Sequence, residues 1–275
     1  NRNQFTEEVV VKKVYDTPET EDFHESNKLL QKLDHSNIIK YLDHGKFDSP
    51  ETGEFLYIVT EKGDEDLARY LKERQTNHAN DNLQEMLEIF VQLVRGVAFI
   101  HSQNIYHRDI KPANVVVRKN DWKIIDFEDY AKTDTQDESI SAQKVGTEYY
   151  MAPQICIRGC KDRILGNSLD SYSLGCTLLE MITDSSSLTL NGNTLAYNLV
   201  KNEESDVHNH IRKVIGEKVA MSKQSCGDLV CNLIQKSAAK RLTARCVLVS
   251  VDKILQEISV MKNPTRSRRG KCMVQ

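Results

Sequence analysis

The chain has 275 residues, of which 39% are hydrophobic and 28% charged, and its formal net charge is −3. Such a chain suits one large domain or two lobes around a real core, and its charge gives no overall pull toward nucleic acid or an anionic membrane. No apolar run reaches bilayer length and no signal peptide is recognisable, while the 7 cysteines lack C-x-x-C spacing, so free thiols in a reducing cytoplasm are expected rather than zinc or disulfide frameworks.

The chain opens at Asn1 rather than Met, and the expectation is that its natural start lies upstream. EEVVVKKVY (7–15) is β-branched and bounded by charge, which predicts a strand. ETEDFHESNKLLQKLDH then predicts a helix with Phe23, Leu30 and Leu33 on one face. NIIKYLDHG (37–45) and EFLYIVTE (54–61) predict two further strands. After residues 61–66 the pattern turns helical. NLQEMLEIFVQLVRGVAFIHS places Leu83, Leu87, Phe90, Leu93, Val94, Val97 and Ile100 three and four residues apart, an amphipathic helix with a broad buried face. NVVVR (114–118) and WKIID (122–126) predict a hairpin around the turn KND. SLDSYSLGCTLLEMIT, SCGDLVCNLIQKSA and TARCVLVSVDKILQEI predict helices, the last ended by Pro264. Strands first and helices later predict an α+β fold with two lobes hinged near 61–66.

The stretch YHRDIKPANVVV (106–117) concentrates polar chemistry ahead of a strand. The hairpin from Asn114 to Asp126 can bring these two side chains together. An amide oxygen and a carboxylate suit Mg²⁺, which keeps water and substrate phosphates as its other ligands. A carboxylate at Asp109 can orient a hydroxyl nucleophile, and Lys111 can neutralise charge on a transferring phosphoryl group. The pattern points to phosphoryl transfer.

HRDIKPAN followed by DF resembles the catalytic loop and magnesium motif of eukaryotic protein kinases. The similarity continues along nearly the whole chain. VVVKKV resembles the strand whose Lys holds the ATP phosphates, here Lys12. LYIVTEKGDEDL resembles the fifth strand and hinge. VGTEYYMAPQ resembles the end of the activation segment, LDSYSLGC the central helix whose Asp170 braces the catalytic loop, and AAKRLTA the Arg-bearing turn before the last helix. The resemblance implies a bilobal protein-kinase-like fold, with an N-lobe over 1–62, a C-lobe over 63–258 and a basic tail over 259–275. It implies ATP and Mg²⁺, with Thr60, Glu61 and Gly63 at the hinge, Asp66 at the ribose and Val116 beneath the adenine. Asp109 would be the catalytic base, Lys111 the γ-phosphate contact, and Asn114 with Asp126 the metal ligands. Lys111 in RDIK and Thr147 in GTEYY resemble Ser/Thr rather than Tyr kinases, which implies protein Ser/Thr hydroxyls as acceptors and no nucleic-acid partner.

Four departures stand against the family pattern. No Gly-rich loop precedes Lys12. The family spacing for the Glu of helix C falls on Ser26, and Glu25 is one residue earlier, about 100° around a helix; Glu25 is either the displaced partner of Lys12 or a solvated surface charge. DFG has become DFE, and Glu128 resists backbone angles that Gly permits, which is expected to slow catalysis or to restrict inactive conformations. APE has become APQ, so Gln154 can offer Arg241 only a neutral hydrogen bond. Ser139 and Ser141 are either loop serines or sites whose phosphate would pair with Arg108. The last four residues, Cys272 to Gln275, fit a prenylation box beside Arg266, Arg268, Arg269 and Lys271; either the tail carries a lipid that brings it to a membrane surface, or it is a basic tail with a chance cysteine. Two functions follow: an ATP-dependent protein Ser/Thr kinase, or a nucleotide-binding pseudokinase serving as a scaffold.

Overall fold

The computed structural model describes residues 8–14, 23–49, 53–76, 82–135, 139–141, 144–156, 163–218 and 222–262. The side chains of Glu25 and Ser26, and the tail with Cys272, lie outside the described residues.

A small antiparallel sheet comes first. Its strands β1 (Val9–Val14), β2 (Tyr41–Ser49) and β3 (Gly53–Glu61) lie in the order β1-β3-β2, with helix α1 (Phe23–Leu30) between the first two in sequence. β1 sits opposite β3 with Lys12 across from Ile58, so the lysine leaves the middle of a strand. The strand expected over 37–45 is divided. Asn37 to Ile39 join the second sheet instead, through Ile39 N–H to Ile124 O at 2.9 Å and Ile124 N–H to Asn37 O at 3.0 Å. The Asn37 amide fixes this docking by donating to Trp122 O at 2.9 Å. β2 therefore begins at Tyr41, and a bulge follows between Tyr41 and Asp43.

The second sheet is β4 (Glu65–Asp66), β6 (Val115–Arg118) and β7 (Asp121–Ile124), ordered β4-β6-β7. Lys119 and Asn120 both have positive φ, 51° and 75°, the conformation that a two-residue hairpin turn requires. A short pair, β5 (Ile105–Tyr106) with β8 (Ala131–Lys132), frames the loop carrying HRD.

Helices α2 (Leu67–Thr76) and α3 (Leu83–Ser102) open the larger lobe. Asn82 caps α3 by accepting from Glu85 N–H. Leu87, Phe90, Leu93, Val94, Val97 and Ile100 are fully buried on it, and each contributes roughly 1.5–3 kcal/mol of apolar burial. Strand β9 (Ser139–Ser141) pairs with β10 (Arg163–Leu165) across the short helix α4 (Pro153–Cys156). Helix α5 (Gly166–Ile182) is buried on nearly every side. Its burial takes in polar residues as well, Ser168, Asp170, Ser171, Ser173 and Thr177, so no single apolar face marks it. Helices α6 (Leu195–Lys201), α7 (Glu204–Lys218), α8 (Lys223–Leu233) and α9 (Ala244–Lys262) complete the lobe. The α+β expectation holds, with a small strand-rich part followed by a larger helical one.

Candidate active site

Asp170 is the anchor. It lies in α5 with no solvent exposure. Its Oδ2 accepts from His107 N–H at 2.9 Å, its Oδ1 from Arg108 N–H at 2.7 Å, and His101 Nε2 sits 2.8 Å from Oδ2. Burial alone would raise its pKa, but His101, His107 and these backbone donors hold it below the ordinary carboxylate value. The bonds secure a turn in which Arg108 adopts φ 70°, an uncommon angle for a non-glycine residue. His107 Nδ1 faces the Asp109 N–H at 3.3 Å, which leaves its Nε2 hydrogen for Ile125 O at 2.9 Å. The buried His107 ring meets Phe127 edge-on at 4.7 Å between centroids, and Phe127 meets Tyr41 at 6.2 Å. The column Asp170–His107–Phe127–Tyr41 thus runs from α5 to the small sheet.

The turn presents Asp109 with both carboxylate oxygens engaged. Oδ1 accepts from the Thr147 N–H and hydroxyl, each at 2.9 Å. Oδ2 accepts from Lys111 Nζ at 2.6 Å and Asn114 Nδ2 at 2.8 Å. Burial pushes the Asp109 pKa up, and the bonds from Lys111, Thr147 and Asn114 outweigh it, leaving a carboxylate that is ionised at neutral pH. Gly146 makes the approach possible. Its φ is +96°, and a Cβ there would lie 2.7 Å from Arg108 O. Asn114 Nδ2 also donates to Asp109 O at 2.8 Å, which turns the amide oxygen away from Asp109.

A cleft of about 250 Å³ opens between the lobes, lined by Val10, Ile39, Ile58 and Val116 on its apolar walls and by Lys12, Asp126 and Glu128 at its polar end. Thr60, Glu61 and Gly63 also line it. A Cβ on Gly63 would fall 2.6 Å from Val116 Cβ, so the hinge backbone lies directly on that valine. The Glu61 carboxylate faces away from the cleft toward Arg118 Nε and Lys123 Nζ, both at 3.0 Å. Asp66 is not among the residues lining the cleft. It pairs with Val116 across β4 and β6, and its Oδ1 caps α2 by accepting from Arg69 N–H at 2.8 Å.

These residues fit a nucleotide and a hard cation. The apolar walls and flat hinge suit a purine, Lys12 suits phosphates, and Asp126 with the Asn114 amide oxygen supplies the donors Mg²⁺ accepts. Among the described residues no three His, Cys, Asp or Glu side chains make a closed metal cage, and a cation sharing phosphate and water ligands needs none.

The sequence departures resolve unevenly. Lys12 Nζ lies 2.6 Å from Glu128 Oε1 and 3.1 Å from Asp126 Oδ1. Burial lowers the Lys12 pKa, and the two carboxylates more than reverse that. The strained backbone is at Asp126, with φ 63°, and Glu128 is not among the positive-φ residues. Gln154 Oε1 does accept a neutral bond from Arg241, at 2.7 Å. Arg241 is buried, donates also to the carbonyls of Ser168 and Gln235, and has its pKa pushed down to about 10 by burial. The Ser139 hydroxyl meets Arg163 Nε at 2.9 Å rather than Arg108. Sequence reasoning missed the grip of Thr147 on Asp109, the Glu128–Lys12 pair and the aromatic column, because each joins residues distant in the chain.

The chain matches the protein kinase domain family over residues 2–251. It is similar to mitogen-activated protein kinase 13 of Arabidopsis thaliana, 36% identical over 156 residues, covering 56% of this chain and 40% of that protein. The mitogen-activated protein kinase homolog NTF6 of Nicotiana tabacum is 37% identical over 158 residues, again 56% of this chain and 40% of the relative. The matched stretch thus spans well under half the length of these curated relatives. A crystal structure of the yeast RNA Pol II CTD kinase CTDK-1 complex superposes with a TM-score of 0.63 at 21% identity, covering 87% of this chain and 83% of that one. A family match over most of the chain, on a fold shared with a solved kinase, settles the assignment: the chain belongs to the protein kinase family.

Proposed function

We propose that the protein transfers the γ-phosphate of ATP to Ser/Thr hydroxyls of protein substrates. The observation that carries this is Asp109, an ionised carboxylate held by Lys111, Thr147 and Asn114, with the Asn114 carbonyl bonded to the N–H of Ile125, which lines the cleft. Asp109 Oδ2 orients the acceptor hydroxyl and takes up its hydrogen. Lys111, already 2.6 Å from that oxygen, moves its charge onto the transferring group. Lys12 would hold the α/β-phosphates, while Thr60, Glu61, Gly63 and Val116 frame the base; Asp66, whose Oδ1 caps α2 and which does not line the cleft, is left without the ribose contact expected of it. Asn114 and Asp126 would hold Mg²⁺, which would supply positive charge to the phosphates.

The test is transfer of γ-labelled phosphate from Mg·ATP to a generic Ser/Thr protein, with Asp109→Asn as the control. The expected loss in the mutant is about 10²–10⁴-fold, the usual size of a general-base contribution, in a protein that still unfolds cooperatively. Equal transfer by both proteins removes Asp109 from this role. A second reading, a nucleotide-binding pseudokinase, draws on Lys12 being tied to both Asp126 and Glu128; it predicts stabilisation by Mg·ATP without transfer. For location we propose the cytoplasm, with a basic tail that either carries a lipid on Cys272 or holds a chance cysteine. The Cys272-bearing peptide of protein isolated from its native cells would carry an isoprenoid on the sulfur, and an unmodified Cys272 refutes the anchor.

A further inference from the structure

Glu128 stands where the family's magnesium motif ends in glycine, and nothing in its backbone requires that glycine, since the positive φ of the turn falls on Asp126. Phe127, 2% exposed and packed on His107, pins the turn between Asp126 and Glu128. The Glu128 side chain is thereby returned to the cleft, which it lines beside Lys12 and Asp126. Two carboxylates share one ammonium, and Glu128 is the nearer, at 2.6 Å against 3.1 Å. A cation bound at Asp126 competes with Lys12 for Oδ1 and repels it. Lys12 then needs a carboxylate that is not a metal ligand, because its long side chain is about half exposed at 46% and has much rotamer freedom to lose. Among the described side chains, Glu128 fills that need.

We propose that Glu128 is a positioning residue: its carboxylate holds the Lys12 ammonium in the cleft when Asp126 turns to the metal, so that the counter-ion of the phosphate-binding lysine comes from the residue after Phe127. The inference rests on the kinase reading above for its role, although the ion pair itself exists without nucleotide.

The experiment has two arms, both on the full chain. In the first, nucleotide- and metal-free protein with ¹⁵N-labelled lysine is examined by NMR, and the Lys12 Nζ resonance is assigned with Lys12→Arg. A hydrogen-bonded, exchange-protected signal is expected in the wild type and in Asp126→Asn, and its loss in Glu128→Gln. In the second, steady-state phosphate transfer is measured for wild type, Glu128→Gln and Glu128→Asp. The KM for ATP is expected to rise about tenfold in Glu128→Gln, the scale of one charge-assisted contact, with kcat changed less and partial recovery in Glu128→Asp. A Lys12 signal that survives in Glu128→Gln overturns the pairing. Unchanged or faster transfer in Glu128→Gln overturns the positioning role and makes Glu128 a brake. If the wild type transfers nothing, the kinase reading and the catalytic role fall together, while the NMR arm still decides the pair.

Discussion

Gln154 and Arg241 show what one substitution does to a buried charge. Arg241 is 7% exposed, and its partners are Gln154 Oε1 and backbone carbonyls, with the Tyr172 ring 5.1 Å away. Neutral oxygens satisfy the hydrogens but not the charge, which is why burial lowers the Arg241 pKa. Gln154→Glu places a carboxylate on Nη2. It is expected to raise stability by about 2 kcal/mol, the net worth of a charged hydrogen bond, less what is lost when Gln154 Nε2 no longer donates to Lys236 O. Chemical denaturation at neutral pH measures the change, and a destabilised mutant shows that the neutral arrangement is the better one. The sequence named this pair correctly because both halves belong to recognisable motifs. It did not reveal the carbonyls, which come from Ser168 in α5 and from Gln235 and Lys236 just past α8.

Among the elements, the hinge and β6 depend on a single missing methyl group. Gly63 lies on Val116, with an added Cβ 2.6 Å from both Cβ and Cγ2 of that valine. Gly63→Ala forces the hinge off β6, with an overpacking cost of about 1–3 kcal/mol and a higher KM for ATP. Val116→Gly removes both colliding carbons, so the double mutant is expected to regain nucleotide affinity relative to Gly63→Ala alone. Fluorescent-nucleotide titration of the three variants decides it, and no recovery in the double mutant rules out the steric account. Element types were readable from periodicity: the spacing over 83–102 gave α3, and the KND turn gave the β6–β7 hairpin. The division of the 37–45 strand was not readable. Asn37 to Ile39 leave the small sheet because β7 and the Asn37 amide claim their backbone groups, and only the folded chain brings β7 there.

For the molecule as a whole, Asp170 ties the end of α3, the HRD turn and α5 together. Its folded pKa is depressed below the ordinary value of 3.8. Its stabilising contribution is therefore complete above about pH 4 and is lost as pH falls through the depressed folded value. Asp109, also lowered from 3.8, adds to the same window. Asp170→Asn leaves the His107 and Arg108 amides facing an uncharged group, and is expected to cost about 3–5 kcal/mol at neutral pH. It also flattens the acid limb of the stability–pH curve below about pH 4. Urea unfolding across pH 2–7 reads both effects, and an acid limb as steep as that of the wild type assigns it to other carboxylates.

Local sequence was enough for the α+β class, for α3, α5, α8, α9 and the β6–β7 hairpin, and for the likeness of HRDIKPAN and DF to a kinase catalytic loop, whereas α2, α6 and α7 were not read from it. Hydrophobic period and turn residues act within a few positions of one another, and HRDIKPAN with DF carries its chemistry in residue type and spacing. Only the tertiary structure decided what each polar group faces. Thr147 reaches Asp109 across 38 residues and Lys12 reaches Asp126 across 114. Such contacts follow from how the lobes close on the column of Asp170, His107, Phe127 and Tyr41, and no local preference encodes that closure.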